Sequence, residues 1–200
     1  MTMGQIIESI IAIALFLCST AIIIVPGRRW LLGLLALQYV GVFLLVSFSW
    51  PLEIAVVKLV AGWMATAVLF LTQSDDSPSV LQERLTASLP GTLFMLFAAL
   101  LIGLSMYSLM PAALRWFLGA SPQQVLGGVW LLGLGTLQVS FSRQEIRIII
   151  GLLTVISGFE ILYATLEASV FMTGLLALLN ISLAFVGTYL QMASSLEESL

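Results

Sequence analysis

The sequence contains no histidine and a single cysteine, Cys18, in 200 residues. Without histidine, the chain has no His general base, no His-ligated zinc or copper site and no bis-His haem. A lone cysteine forms no intrachain disulfide and no thiolate cluster. We find no glycine-rich phosphate loop, catalytic triad or metal-ligand spacing in the sequence. We therefore expect no cofactor bound by this chain and no catalysis by the chain alone.

Charged side chains are also scarce. Seven Lys and Arg and ten Asp and Glu make up 8% of the residues, whereas 60% are hydrophobic. A soluble globular domain is about 25% charged, so these few charges cannot cover a water-exposed surface. The alternative solvent is lipid, and the composition predicts an integral membrane protein. The scattered basic residues form no stripe that could contact phosphates, which argues against a nucleic-acid partner.

Five long uncharged runs each reach about the 20 residues that cross a bilayer as a helix. Two further spans reach that length only with Lys58 or Glu160 inside, so the sequence predicts seven membrane-spanning helices, an all-α bundle in one domain over residues 1–200. The runs are continuous rather than alternating, which argues against a β-barrel. In the longest connection, residues 73–89, leucines recur every four residues at Leu81, Leu85 and Leu89, which predicts a short interfacial helix. The seven helices are predicted near residues 5–25, 30–49, 52–72, 90–110, 123–141, 146–167 and 169–190.

The distribution of Lys and Arg predicts the orientation of these helices. Arg115 alone lies in a connection on one side of the membrane. The connections after the first, third and fifth helices contain Arg28, Arg29, Arg84, Arg143 and Arg147. The positive-inside rule then places the N-terminus outside and the C-terminus in the cytoplasm of a multi-pass cell-membrane protein. The first span lacks a basic flank and a cleavage site, so we expect it to remain in the mature protein.

Two charged residues fall inside predicted spans. Lys58 lies seven residues beyond Pro51, roughly 10 Å below the outer face at helical rise. Glu160 lies thirteen residues beyond Arg147, roughly 20 Å above the inner face. In a hydrocarbon core about 30 Å thick these depths nearly coincide. Because a lone charge at mid-bilayer costs at least about 2.5–3.5 kcal/mol, we expect Lys58 and Glu160 to pair.

Further polar residues extend this pair into a candidate proton path. Three uncharged residues of the second, fifth and seventh helices are predicted closer to mid-membrane: Gln38, Gln138 and Asn180. Three carboxylates near the outer boundary are secondary candidates: Glu8, Glu53 and Glu167. Polar groups inside a bilayer mark proton and ion paths. The structural alternatives are an interfacial position for the secondary carboxylates, interhelical hydrogen bonding for the uncharged residues and snorkelling of Lys58 to the outer headgroups.

The order of these features resembles the hydrogenase-4 component E family, small membrane subunits of respiratory and hydrogenase complexes related to complex I. The resemblance covers roughly residues 10–190 and is strongest over residues 133–151. That passage is similar to the arginine-flanked entry into the family helix that looks like the second helix of the 4L (or K) subunit of complex I. The segments that carry the resemblance are Gly27-Arg28-Arg29, Leu37-Gln38, Ala55-Val56-Val57-Lys58-Leu59-Val60, Leu137-Gln138-Val139-Ser140 and Arg143-Gln144-Glu145-Ile146-Arg147-Ile148.

One position departs from the family pattern. The family's helix carries its carboxylate at the position equivalent to Ile156, followed by a small polar pair that resembles Ser157-Gly158 here. This chain has its acid at Glu160 instead, one turn later. A displacement of one turn keeps the same helix face, so the carboxylate can keep its role at a new depth. The alternative is that the proton path is lost and the subunit is structural.

The resemblance implies an integral subunit of a multisubunit proton-translocating respiratory or hydrogenase-type complex. Other subunits would hold the redox centres, and the partners of this chain would be antiporter-like subunits, subunits adjacent to 4L/K, and lipid. Two other classes remain open from the sequence. A self-contained small-solute transporter or exporter would be active when purified and is expected to show an internal repeat, which we do not find between the halves. A non-transporting assembly or scaffold protein would tolerate neutral residues at Glu160 and Lys58.

Overall fold

The computed structural model describes residues 3–71, 89–117, 119–167 and 169–197. These residues form seven α-helices and no strand, and each helix is long and apolar enough to cross a membrane. The predicted all-α transmembrane bundle is therefore confirmed. The interfacial helix predicted within residues 73–89 lies outside the described residues, apart from Leu89. The helices are α1 Met3–Ile24, α2 Arg28–Val46, α3 Leu52–Leu71, α4 Leu89–Ala113, α5 Pro122–Phe141, α6 Glu145–Ala164 and α7 Val170–Glu197.

Two helices run further than the sequence predicts. Helix α4 continues through Pro111 to Ala113, because a proline so close to a helix end removes only one of the last backbone hydrogen bonds. Helix α7 continues past residue 190 to Glu197, through Gln, Met and Ala residues that favour helix. Helix α6 ends earlier, at Ala164, where the amide of Thr165 donates to the carbonyl of Leu162.

The helices form two layers. Helices α1, α2 and α3 lie side by side in one layer, and α4, α5, α6 and α7 follow one another in the second. Across the layers, α1 packs on α4 and α5, α2 packs on α6, and α3 packs on α7. Helix α6 therefore contacts α5, α7 and α2. Its polar side chains face protein on several sides.

Helices α5 and α6 form the most extensive contact of the bundle, and glycines allow it. A Cβ atom at Gly128 would lie 3.0 Å from the carbonyl oxygen of Gly158, and a Cβ at Gly135 would lie 2.9 Å from that of Gly151. Small residues let membrane helices approach this closely. The glycine-containing face of α5 is thus covered by helices of the same chain.

The start of α5 is tied to the end of α2. Ser121 caps α5: its hydroxyl accepts from the amide of Gln124, whose side-chain oxygen accepts from the amide of Ser121, a capping box. The Nε2 of Gln124 also donates to the carbonyl of Leu45 and to the hydroxyl of Ser49, each at 2.9 Å. One buried side chain therefore completes both helix ends.

Two apolar clusters enclose the middle of the bundle. One cluster includes Leu35, Ala65 and Leu153 and extends toward the arginine-rich end. The other includes Ala55 and Ile161 and extends toward the opposite end. Lys58 and Glu160 lie in sequence between these cluster members on α3 and α6. The charged residues are therefore held between two layers of hydrocarbon side chains.

Candidate functional site: a buried ion pair between α3 and α6

Lys58 lies on the buried face of α3. Its neighbours on that face are small: Ala55, Ala61, Gly62 and Ala65 are all buried. Because these residues recur every three or four positions, they form one stripe along the helix. A stripe of small side chains leaves room for the long lysine side chain to extend toward α6, rather than along the helix to the membrane surface.

Glu160 lies on the inward face of α6, in register with other buried polar residues. Thr154 and Ser157 precede it at intervals of three residues, and all three side chains are at most 1% exposed. Residues three apart on a helix share a face. Helix α6 therefore presents a line of two hydroxyls and one carboxyl group to the centre of the bundle.

The two charged residues form an ion pair. Nζ of Lys58 lies 2.8 Å from Oε1 of Glu160, and the side chains are 2% and 1% exposed. The pairing that the sequence predicts from equal depth is confirmed, and Lys58 does not snorkel. In a low-dielectric interior each charge alone would carry a large desolvation cost, which the partner offsets. The pair is therefore a single neutral unit whose two members depend on each other.

Helix α7 adds a third residue to the pair. The Nδ2 of Asn180 donates to Oε1 of Glu160 at 3.0 Å, so this one oxygen receives both contacts. Asn180 is fully buried. The arrangement fixes the carboxylate between α3 and α7, with donors on both sides of one oxygen.

Several polar atoms around the pair make no hydrogen bond in the described part of the chain. These are Oδ1 of Asn180 and the hydroxyl of Tyr39, while Nζ of Lys58 makes none beyond its ion pair. Tyr39 is 2% exposed, and its hydroxyl lies near Glu160 and the Ser157 hydroxyl without meeting hydrogen-bond geometry with either. Buried polar groups nearly always have a partner. The site thus has capacity for additional hydrogen bonds.

A second cluster of polar side chains, Ser19, Gln38 and Thr154, lies nearer the start of α6 than the ion pair does. Nε2 of Gln38 donates to the Thr154 hydroxyl at 3.2 Å, and the Ser19 hydroxyl donates to Oε1 of Gln38 at 3.1 Å. Thr154 is six residues before Glu160, roughly 9 Å along the axis, with Ser157 between them. The polar residues of α1, α2 and α6 therefore extend from the ion pair toward the arginine-rich end.

The structure does not bring Gln138 into this group. Gln138 lies in the last turn of α5, and its Nε2 donates to the carbonyl of Arg147 at 3.1 Å. It joins the end of α5 to the start of α6 across the turn between them. The sequence predicts Gln138 closer to mid-membrane, but it lies three residues before Phe141, the last residue of α5, and so at the boundary.

The three secondary carboxylates are separate from the ion pair. Glu53 is exposed in the first turn of α3, and Glu167 is exposed just after α6. Both positions fit the interfacial alternative. Glu8 differs, because it is 9% exposed on α1 and its Oε2 makes no hydrogen bond with the described residues.

Four buried polar residues near the ion pair and Gln38 were not among the site residues predicted from the sequence: Ser19, Tyr39, Thr154 and Ser157. One signal was available, since Thr154, Ser157 and Glu160 repeat every three residues in an otherwise apolar helix. Tyr39 and Ser19 had no such signal. Their inward positions depend on how α1 and α2 rotate against α6, which the composition of those helices does not determine.

Comparisons with known proteins add no relative. No protein-family model, no curated protein and no solved structure matches this chain. Among the residues that the structure describes, no three acidic or cysteine side chains come together as a metal site would require. What the fold and site define is a multi-pass membrane protein with a charged pair at its centre.

Proposed function

We propose that this chain is an integral subunit of a multisubunit proton-translocating complex related to complex I, of the kind that hydrogenase-4 component E represents. The observation that carries the proposal is the buried unit of Lys58, Glu160 and Asn180. The proposal includes a location in the cell membrane, with the N-terminus outside and the C-terminus in the cytoplasm, as the arginine distribution predicts.

The position of the ion pair supports a functional role. Ionisable residues inside membrane segments are costly and usually belong to ion or proton routes. Replacing a buried pair by apolar residues of similar volume is often neutral or stabilising. Because 60% of the residues are hydrophobic, apolar side chains at positions 58 and 160 would match their surroundings. A requirement other than stability therefore explains the pair best.

The chemistry of the site suits proton exchange. The Glu160 carboxylate accepts a proton, and its charge then no longer balances Lys58, so the arrival of a proton changes the whole unit. Asn180 keeps Oε1 oriented. The hydroxyls of Ser157 and Thr154 lie between the carboxylate and Gln38. They donate to the carbonyls of Leu153 and Ile150 and keep lone pairs that accept hydrogen bonds.

In this proposal the chain joins other membrane subunits rather than acting alone. Antiporter-like subunits move most of the ions, and redox centres are on other chains. Much of the surface of α4 is apolar and exposed, including Phe97, Leu100 and Leu104, which suits lipid or a neighbouring subunit. The proposed role is to link those parts and to provide one protonatable group between them.

Co-purification tests the proposal. The chain carries an affinity tag at its C-terminus, membranes are extracted with a mild detergent, and co-purifying proteins are identified by mass spectrometry. Stoichiometric recovery of antiporter-like subunits together with hydrogenase-like or quinone-reducing subunits supports the proposal. Recovery of the chain alone under several mild extractions contradicts it, and solute flux into liposomes containing only this chain would replace it with the transporter alternative.

A further inference from the structure

A tyrosine hydroxyl lies beside the ion pair without a hydrogen bond. Tyr39 of α2 is 2% exposed, and its hydroxyl oxygen is enclosed with no hydrogen-bond partner among the described residues. A buried tyrosine hydroxyl usually has a partner, and an unpartnered one costs free energy that a phenylalanine would avoid. Phenylalanine would fill nearly the same space at this position. The packing of the ring therefore does not explain why the hydroxyl is present.

Contacts with α3 and α6 fix the ring of Tyr39. A Cβ atom at Gly62 of α3 would lie 2.6 Å from ring atom Cε1, so a side chain at position 62 would collide with the ring. Gly62 is four residues after Lys58 on the buried face of that helix, and residues four apart are neighbours on a helix surface. The ring also belongs to the apolar cluster that includes Leu153 of α6. It is thus held between the helix of the lysine and the helix of the carboxylate.

The hydroxyl of Tyr39 has two acceptors nearby on α6. The Ser157 hydroxyl donates to a backbone carbonyl of its own helix at 2.9 Å and keeps lone pairs that accept. Glu160 is one turn further along the same face, and the described contacts of its carboxylate, from Lys58 and Asn180, both fall on Oε1. A carboxylate accepts on two oxygens. Glu160 therefore has capacity for a further donor, and the Tyr39 hydroxyl is close enough to become that donor.

We propose that Tyr39 is a positioning residue of the ion pair, whose hydroxyl donates to the Glu160 carboxylate when Lys58 moves away from it. While the pair is closed, Lys58 and Asn180 hold the carboxylate, and the hydroxyl hydrogen of Tyr39 points toward Ser157. When the lysine withdraws, the carboxylate exchanges a donor on α3 for one on α2. Tyr39 stays neutral throughout and transfers no proton.

This role rests on the proposed function, in which Glu160 gains and loses a proton. A buried carboxylate without donors is costly, so an ionised Glu160 that Lys58 has left requires a replacement donor. The fixed ring of Tyr39 provides one without a rearrangement of the helices, because only the hydroxyl hydrogen and the carboxylate have to rotate. Tyr39 thereby regulates how readily the ion pair opens.

Thermal unfolding of the purified full-length chain in detergent tests the contact. In the wild type, Tyr39→Phe should change Tm by no more than about 2 °C, because the hydroxyl has no partner to lose. In the Lys58→Met background, where the hydroxyl donates to Glu160, Tyr39→Phe should lower Tm by about 3–6 °C. Tyr107→Phe is the matched control, since Tyr107 is 57% exposed on α4, and its effect should be small in both backgrounds. Asn180→Ala, which removes the other donor, replaces Lys58→Met if that variant does not fold. Equal effects of Tyr39→Phe in the two backgrounds overturn the proposal.

Proton movement by the reconstituted complex tests the role. Tyr39→Phe should lower its rate by about 2- to 10-fold, the factor that corresponds to one hydrogen bond, while Tyr107→Phe matches the wild type. Gly62→Ala, which keeps the hydroxyl but displaces the ring, should lower the rate too. A wild-type rate in Tyr39→Phe together with a lowered rate in Glu160→Gln overturns the role of Tyr39 alone. Wild-type rates in both variants overturn the proposed function, and the difference in Tm between the two backgrounds still tests the contact of Tyr39 with Glu160.

Discussion

Gly158 of α6 lies against Gly128 of α5 so closely that a Cβ atom at Gly158 would be 2.7 Å from the Gly128 carbonyl oxygen. The same Cβ would be 2.8 Å from the backbone nitrogen of Leu132. Both neighbours are backbone atoms and cannot turn aside. Because Glu160 follows two residues later, this contact sets the distance of α6 from α5 and with it the position of the carboxylate.

Gly158→Ala is therefore expected to separate α5 from α6. We expect a loss of about 1–3 kcal/mol in unfolding free energy, the usual cost of overpacking, measured as a lower Tm in detergent. Gly33→Ala is the matched control, because nothing lies within 4 Å of a Cβ at Gly33. There alanine should be neutral or stabilising, since it favours helix. Equal effects at Gly158 and Gly33 would show that the close approach is absent.

The ion pair predicts strong coupling between Lys58 and Glu160. Lys58→Met leaves a buried carboxylate without its partner and should cost about 3–5 kcal/mol. Lys58→Met combined with Glu160→Gln should recover much of that loss, because no unpaired charge remains. Chemical or thermal unfolding of the two single variants and the double variant measures the coupling.

Glu53→Gln is the control for this cycle, since Glu53 is an exposed carboxylate on the same helix as Lys58. It should change stability by no more than about 0.5 kcal/mol. If the effects of Lys58→Met and Glu160→Gln simply add, the two residues are not paired in the folded protein.

Gln124 is expected to hold two helix ends together. Gln124→Ala removes half of the capping box and leaves the Leu45 carbonyl without its donor. The expected loss is about 1–2 kcal/mol, read from Tm. Gln144→Ala is a suitable comparison because Gln144 precedes α6 without making a side-chain cap. If Gln144→Ala destabilises the protein as much as Gln124→Ala, the contacts of Gln124 contribute nothing specific.

The orientation of the bundle is open to a labelling experiment. Cys18 is buried with its thiol directed at the Leu34 carbonyl, so Cys18→Ala provides a cysteine-free background. In that background Arg115→Cys and Arg143→Cys introduce exposed thiols at opposite ends. A membrane-impermeant maleimide added to intact cells should label position 115 and spare position 143, as positive-inside topology requires. The reverse pattern would invert the orientation.

The sequence predicted a large part of this arrangement. Uncharged runs located five of the helices, and the other two were located by allowing Lys58 and Glu160 inside spans of crossing length, which bilayer thickness dictates. Equal depth predicted the contact between Lys58 and Glu160, because an isolated charge in lipid is costly. Depth in the membrane could not predict that the side chains of Tyr39 and Ser19 face the ion pair. Their direction depends on how α1 and α2 are rotated about their axes, and helix packing determines that rotation. Gln138 was expected nearer mid-membrane although the predicted and observed ends of α5 agree at residue 141, which already places Gln138 in the last turn.

Proton movement by the intact complex is the measurement that addresses the central proposal most directly. The complex containing wild-type chain, Glu160→Gln or Glu167→Gln is reconstituted into liposomes, and acidification is followed with a pH-sensitive dye during electron transfer. Glu167→Gln is the control, because Glu167 is exposed and separate from the ion pair. Glu160→Gln should lower proton movement per electron while the subunit stays assembled and Glu167→Gln matches the wild type. Unchanged proton movement in Glu160→Gln would contradict the proposal and leave the buried pair a structural role.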